Sequence, residues 1–267
     1  MDELFGRVGV EAAWQVTDLA TGATLGSHVD GALPIVSISK VAATVVAFRL
    51  ADRGQLDLRR SVTLLPDGRS AGTTGISAMS DPVTLSLRDA AYLALTISDN
   101  AAGDALFDAV GADTMAEELE SLGLEKIRVR EPMRDLYDRL TSHGPAAFDA
   151  DATNTATPRA LLRMLELVWT DRAAAPSSCA TIRDLMRRQV WNQRLAGAFP
   201  ATDIDVAGKT ATAAGMRHEI GVVTYPGDRH YLIAILTHRL TDVEDHRTDA
   251  TIGETARRAI HHLRRQR

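Results

Sequence analysis

The hydrophobic period changes twice along the chain, and this restricts the folds open to it. Alternating residues from about Val8 to Thr17 run into the turn residues Asp18-Leu19-Ala20-Thr21-Gly22, and Thr24-Leu25-Gly26-Ser27 completes a hairpin signature. Helical patterns dominate from about Leu56 to Phe199. Strand patterns return at Asp205 to Thr212, His218 to Tyr225 and His230 to Thr237, with Pro226-Gly227-Asp228 as a turn, before a last helix from about Thr248 to Leu263. Strand signals at both ends of a helical middle imply one sheet assembled from the two termini. The predicted class is α+β: an antiparallel sheet built from both chain ends and flanked by helices, with an inserted all-α domain. Residues 1–60 plus 205–267 are expected to form the α/β domain and residues 61–204 the all-helical insertion.

Within that frame, Val36 to Gly54 is apolar nearly all round and closes on a glycine at the expected C′ position, so it reads as a buried helix with Ser37 at its start. Further helices are predicted over Leu85 to Thr96, Ala101 to Val110, Asp113 to Leu122, Thr157 to Trp169 and Thr181 to Leu195. Thr157-Pro158 supplies an N-cap followed by proline at the first helical position.

The formal charge of −5 offers no basic excess for nucleic acid or an anionic membrane, so the expected partner is a small molecule or short peptide. No run approaches the ~20 apolar residues of a membrane span. A monomer is expected. The start MDELFGRVGVEAAWQV lacks the basic and apolar regions of a signal peptide, so the chain as it stands is expected to be cytoplasmic, or secreted if a leader has been removed. The single cysteine, Cys179, excludes an intrachain disulfide, and no spacing of Cys or His suits zinc. No cofactor and no metal are expected.

Of the 30 basic residues only three are lysines, Lys40, Lys126 and Lys209. Two of them fall in short motifs that carry chemistry. Ser37-Ile38-Ser39-Lys40 is S-x-x-K, Ser98-Asp99-Asn100 is S-D-N, and Lys209-Thr210-Ala211 is close to K-T-G. Ser37 and Lys40, three apart at a helix start, share one face at about 5–6 Å between Cβ atoms. A serine hydroxyl is a weak nucleophile until a neighbouring base takes its proton. Lysine can be that base when burial and nearby cations lower its pKa, and Lys209 is expected to add to the depression of Lys40. The Ser37 amide at the helix start and the Thr212 amide on the later strand are candidate oxyanion donors. Ser98 stands at a helix corner where a hydroxyl can relay a proton to a leaving group, and Asn100 offers an amide to substrate or to Lys40. The same tripeptide can also simply cap the next helix. Lys209 and Thr210 suit a substrate carboxylate.

The three motifs in this order resemble the class A β-lactamase and penicillin-recognising serine hydrolase superfamily. Ala51-Asp52-Arg53-Gly54-Gln55-Leu56-Asp57-Leu58, Thr157-Pro158-Arg159-Ala160 and Met186-Arg187-Arg188-Gln189 add to the likeness, which extends over nearly the whole chain. It implies the β-lactamase/DD-peptidase fold, a Ser37 acyl-enzyme made with Lys40 as base, Ser98 as relay, Asn100 as a substrate contact, and Lys209 with Thr210 as the carboxylate anchor. β-Lactam hydrolysis is the implied activity. A related esterase or D-amino-acid peptidase is the alternative, and a catalytically silent sensor domain is a further one.

The chain departs from that family in three places. The family's Glu-x-x-Leu-Asn stretch, whose glutamate activates the deacylating water, is replaced by Glu131-Pro132-Met133-Arg134-Asp135. Glu131 is therefore either the deacylating base or an ion-pair partner of neighbouring arginines. Ala211 replaces glycine beside the site strand and narrows the substrate space. The leader typical of an enzyme working outside the cytoplasm is missing from the stretch in hand. Arg217 and His218 stand where the family often keeps a cation for the substrate carboxylate, with a surface role open for either. Gly68-Arg69-Ser70-Ala71-Gly72 matches a nucleophile elbow but lacks the flanking strand and helix, so it reads as a loop. Trp14, Trp169 and Trp191 read as core residues.

Overall fold

The computed structural model describes residues 1–143, 153–213, 215–239 and 247–265. The chain begins with a short helix α1 (Asp2–Gly6) and the strands β1 (Val10–Asp18), β2 (Thr24–Ser27) and β3 (Leu33–Pro34). A 3₁₀ turn, Val36–Ile38, leads into α2 (Ser39–Asp52), followed by β4 (Ser61–Leu64) and β5 (Val83–Ser86). Then come α3 (Leu87–Thr96), α4 (Asn100–Val110), α5 (Ala112–Ser121), β6 (Ile127–Arg128), α6 (Met133–His143), β7 (Thr155–Ala156), α7 (Pro158–Trp169), α8 (Pro176–Arg187) and α9 (Leu195–Ala198). The last elements are β8 (Asp205–Ala213), β9 (Met216–Tyr225), β10 (Arg229–Arg239) and α10 (Arg247–Arg265).

The two chain ends do meet in one antiparallel sheet, of order β2-β1-β10-β9-β8, with Trp14 opposite Ile235 and Thr210 opposite Glu219. Strand alternation assigns its two faces. Ile233 and Ile235 of β10 pack with Trp14, Val16 and the Ile252, Ala256 and Ile260 stripe of α10. Leu232, Ala234 and Leu236 join the larger core around α2 and α7. β2 and β8 are the two edges of this sheet, and β8 packs against α8 and the 3₁₀ turn before α2. Helix α2 is buried nearly all round, as its unbroken apolar pattern requires, and packs against α4, α8, α5 and α3. Two small strand groups lie within the helical part: β4 pairs with β5, and β7 stands between β3 and β6. Among the described residues no helix is long and apolar enough to cross a membrane.

Some element boundaries differ from those expected. The helix predicted from Leu85 starts at Leu87, because Val83–Ser86 pairs with β4 and the Ser86 Oγ accepts the Asp89 N–H as an N-cap. The helix predicted over Thr181 to Leu195 is instead Pro176–Arg187, with proline in its first turn. The chain leaves helical geometry beyond it: the Val190 N–H bonds Thr96 O, and the Trp191 Nε1–H donates to Ile97 O. Helices α1 and α6 were not anticipated.

Close strand approach limits side chains in the sheet. A Cβ on Gly221 of β9 would stand 2.4 Å from the Ala207 carbonyl oxygen and 3.1 Å from Leu195 Cδ1. Gly221→Ala is expected to cost ~2–3 kcal/mol through overpacking against backbone, lowering the thermal midpoint by roughly 5–10 °C. Calorimetry checks this; an unchanged midpoint contradicts it.

Candidate active site

The nucleophile candidate lies where the backbone is strained. Val36, a β-branched residue, holds φ +45°, and the 3₁₀ turn it opens delivers Ser37 to the start of α2. One turn on, the Lys40 Nζ lies 3.1 Å from Ser37 Oγ, 2.6 Å from Asn100 Oδ1, 2.7 Å from Ser98 O and 3.3 Å from Ser98 Oγ. Ser98 itself holds φ +61°, which turns both its carbonyl and its hydroxyl toward the amine. Asp99 caps α4 by accepting the Ala102 N–H, so the S-D-N stretch both caps a helix and surrounds Lys40. Gly103 makes the room: a Cβ there would stand 2.8 Å from Lys40 Cε and 3.1 Å from its Cγ.

Burial sets the electrostatics. Desolvation lowers the Lys40 pKa to about 7, with the charges of Asp104 and Asp99 acting the other way. Lys209, expected from the sequence to add to this depression, is not among its causes. The effect falls instead on Lys209, pushed well below its ordinary value first by burial and then by the charges of Lys40 and Arg194. Lys209 Nζ lies 2.8 Å from Ser98 Oγ and donates to Thr210 O at 2.8 Å. The two amines therefore flank the Ser98 hydroxyl.

A buried polar frame holds β8 against this cluster. The Gln189 Oε1 accepts the Thr210 N–H at 2.6 Å, which shows that this amide points away from β9. Alternation along an antiparallel edge strand then aims the Thr212 N–H the same way, into the open. Behind the strand, Glu219 accepts the Leu195 N–H and a bond from Gln189, and burial raises its pKa to about 7. The fully buried Arg194 donates to Ala211 O, His218 O, Thr212 Oγ1 and Asp249.

A cleft of about 670 Å³ opens between β8 and the helical part, walled by Ser37, Ser98, Asn100, Thr210, Ala211, Thr212 and Arg217 among others. It thus brings together seven residues separated by up to 180 positions in sequence. Lys40 and Lys209 lie beneath this wall. Lys209, expected to help anchor a substrate carboxylate, is wholly buried with its amine engaged by Ser98 and Thr210, and Thr210, Thr212 and Arg217 form the surface above it. Arg217 reaches the cleft with Nη1 donating to Asp249 at 3.0 Å.

His218 is excluded as a cation. Its Nδ1 accepts the Thr237 N–H, its Nε2 faces Pro34 O at 2.9 Å, and burial lowers its pKa to about 3. Glu131 does not line the cleft; both its oxygens are held by Arg139. Ser70 of the apparent elbow is buried and hydrogen-bonded to Asp104. Trp14 and Trp169 are core residues, but Trp191 is not: it forms part of the cleft wall. Sequence reading did not place Arg194, Gln189, Glu219 or Asp104 at the site; Asp104 and Glu219 stood out only as acidic residues within α4 and β9, and Gln189 and Arg194 lie in the segment between α8 and α9 with no local signal of burial. Among the described residues no group of three or more His, Cys, Asp or Glu could hold a metal ion.

A family model described as Beta-lactamase enzyme family matches residues 1–263. A β-lactamase regulatory protein, BlaB, of Streptomyces cacaoi is 28% identical over 96% of this chain and 94% of its own. The β-lactamase AER-1 of Aeromonas hydrophila is 24% identical over 87% of this chain and 73% of its own. The crystal structure of a β-lactamase from Sphaerobacter thermophilus superposes with a TM-score of 0.85 at 23% identity, covering 97% of this chain and 93% of that one. A PBP-A variant solved as an acyl-enzyme with penicillin G superposes with a TM-score of 0.84 at 24% identity, covering 99% and 94%. These solved structures share the fold.

Two outcomes follow from the geometry. Because Lys40 accepts a proton only as the free amine, the rate of Ser37 acylation is expected to rise with pH through a midpoint near 7 and level off above it. Glu219→Gln should keep that limb, since Glu219 bonds Leu195 and Gln189 rather than Ser37; a flat profile in the unaltered protein contradicts the assignment. Gly103→Ala is expected to displace Lys40 and slow acylation by about tenfold or more with circular dichroism unchanged. Stopped-flow acylation kinetics measure both.

Proposed function

We propose that this chain, which belongs to the beta-lactamase enzyme family, is a serine β-lactamase-like hydrolase that β-lactams acylate at Ser37. The observation that carries this reading is the contact of a fully buried Lys40, with its pKa near 7, with the Ser37 hydroxyl at 3.1 Å. Lys40 takes the Ser37 proton as Oγ attacks the lactam carbonyl carbon. The Ser37 and Thr212 N–H groups receive the developing oxyanion. The carbonyl C–N bond then breaks, and the nitrogen takes a proton from Ser98, which Lys40 resupplies across 3.3 Å. Lys209 polarises the Ser98 hydroxyl from the other side. Thr210, Thr212 and Arg217 hold the substrate carboxylate, with Asn100 contacting the acyl portion. Water hydrolyses the ester in the second half of the cycle.

The same acyl-enzyme serves an esterase or a D-amino-acid peptidase. A slow-turnover, sensor-like use of the site is favoured by one observation, the engagement of Glu131 by Arg139 away from the cleft.

Incubation with penicillin G, nitrocefin or p-nitrophenyl acetate, followed by absorbance and intact mass, tests the reading. A β-lactam adduct is expected that maps to Ser37 and is absent from Ser37→Ala. Lys40→Ala should slow adduct formation by about 100-fold or more. No adduct and no turnover with any compound contradicts the assignment.

A further inference from the structure

We propose that Arg139 is a positioning residue that sets the lifetime of the acyl-enzyme by holding Glu131 out of the reaction. The inference rests on the Ser37 acylation proposed above. Its basis is how Glu131 is fastened. Both carboxylate oxygens accept from the Arg139 guanidinium, one from Nη1 and the other from Nη2 at 2.7 Å, an end-on fork with a buried carboxylate. Glu131 faces a separate space of about 10 Å³ behind Lys40, bounded also by Asp104, Pro132 and Met133, with room for about one water. A general base must reach the attacking water, and here the fork turns both oxygens toward Arg139 while Glu131 stays off the cleft that Ser37 lines.

The backbone around Glu131 is fixed independently of that fork. The Glu131 N–H donates to Asn154 Oδ1 at 3.1 Å, and Asn154 Nδ2 donates to Glu131 O at 2.9 Å. Helix α6, which carries Arg139, is anchored by Asp104, whose carboxylate accepts the Met133 and Arg134 N–H groups. Tyr137 of the same helix lines the cleft. Removing the guanidinium therefore frees one side chain while the loop keeps both anchors, and leaves a buried carboxylate seeking a new partner. Lys40, the base beside Ser37, lines the same small cavity as Glu131 and offers the released carboxylate a hydrogen-bond partner toward the ester. In the step so released, a water oxygen bonds to the Ser37 ester carbonyl carbon and its proton passes to the Glu131 carboxylate. The Oγ–C bond breaks, Oγ recovers that proton, and the ring-opened acid leaves.

The test is a two-by-two set, unaltered, Arg139→Gln, Glu131→Gln and the double variant, each acylated with penicillin G. Acyl-enzyme decay is followed by intact mass and acylation by stopped flow. Glu131→Gln alone is expected to leave the lifetime within about twofold, because the carboxylate is already disengaged. Arg139→Gln should shorten it by about tenfold or more with acylation unchanged, and the double variant should restore the original lifetime. An unaltered lifetime in Arg139→Gln overturns the proposal, as does a shortening that survives in the double variant. A large lengthening in Glu131→Gln alone overturns it too, since the glutamate would then act while held. Arg139→Lys, which keeps the charge but not the fork, separates a loosened fold from a released base: the thermal midpoint should stay close to that of the unaltered protein. Absence of any adduct overturns instead the acylation on which the inference rests.

Discussion

The site depends on an amine buried without a carboxylate in contact. Among the described residues Lys40 meets only hydroxyl, carbonyl and amide oxygens, from Ser37, Ser98 and Asn100. These can solvate a neutral amine but repay little of the cost of burying an ammonium. The proton is therefore given up near pH 7, against an ordinary value of 10.5. Since the unfolded chain binds that proton more readily between those two values, the contribution of Lys40 to stability declines as pH falls from 10.5 toward 7. The same arrangement that makes the group a base makes it a liability to the fold, and the surrounding structure has to hold it.

Much of the remaining architecture can be read as that support. The strained Val36 and Ser98 backbones aim oxygens at the amine, and Gly103 leaves the space it fills. Across the cleft, Gln189, Glu219 and Arg194 pin β8 so that its free edge presents the Thr212 amide opposite Ser37. Asp249 joins Arg194 to Arg217, so helix α10 on the far face of the sheet contributes to a wall of the cleft. His218, neutral and bonded toward Pro34 O, ties the same sheet to the strand just before the nucleophile. Sheet and helical layer are thereby coupled through polar bonds at the site as well as through the apolar core around α2.

The fold was legible where periodicity was strong: the terminal strands, α2, α4 and α7 all lie close to their expected places. Helix α6 escaped because its N-cap is Asp104, a side chain from another helix, and no local capping residue announces it. Trp191 escaped because an apolar residue near helical spacing reads as core, whereas its indole N–H is fixed to Ile97 O at the rim of the cleft. Ser37, Lys40, Ser98 and Asn100 were readable as short motifs, and their convergence followed. What the motifs could not convey was depth. Lys209 and His218 stand at positions suggestive of substrate contact, yet both are wholly buried, a property of how β8 and β9 pack rather than of local sequence. Nor could spacing reveal which arginine engages Glu131.

The scarcity of lysine, three in the chain, makes the central claim directly measurable. Selective ¹³C labelling of lysine Cε yields three signals, and the one lost in Lys40→Arg reports this amine alone. Titration of that signal by NMR is predicted to show a midpoint near 7. A midpoint at about 10 or above, the range of a solvated lysine, would contradict the account of Lys40 as the base for Ser37.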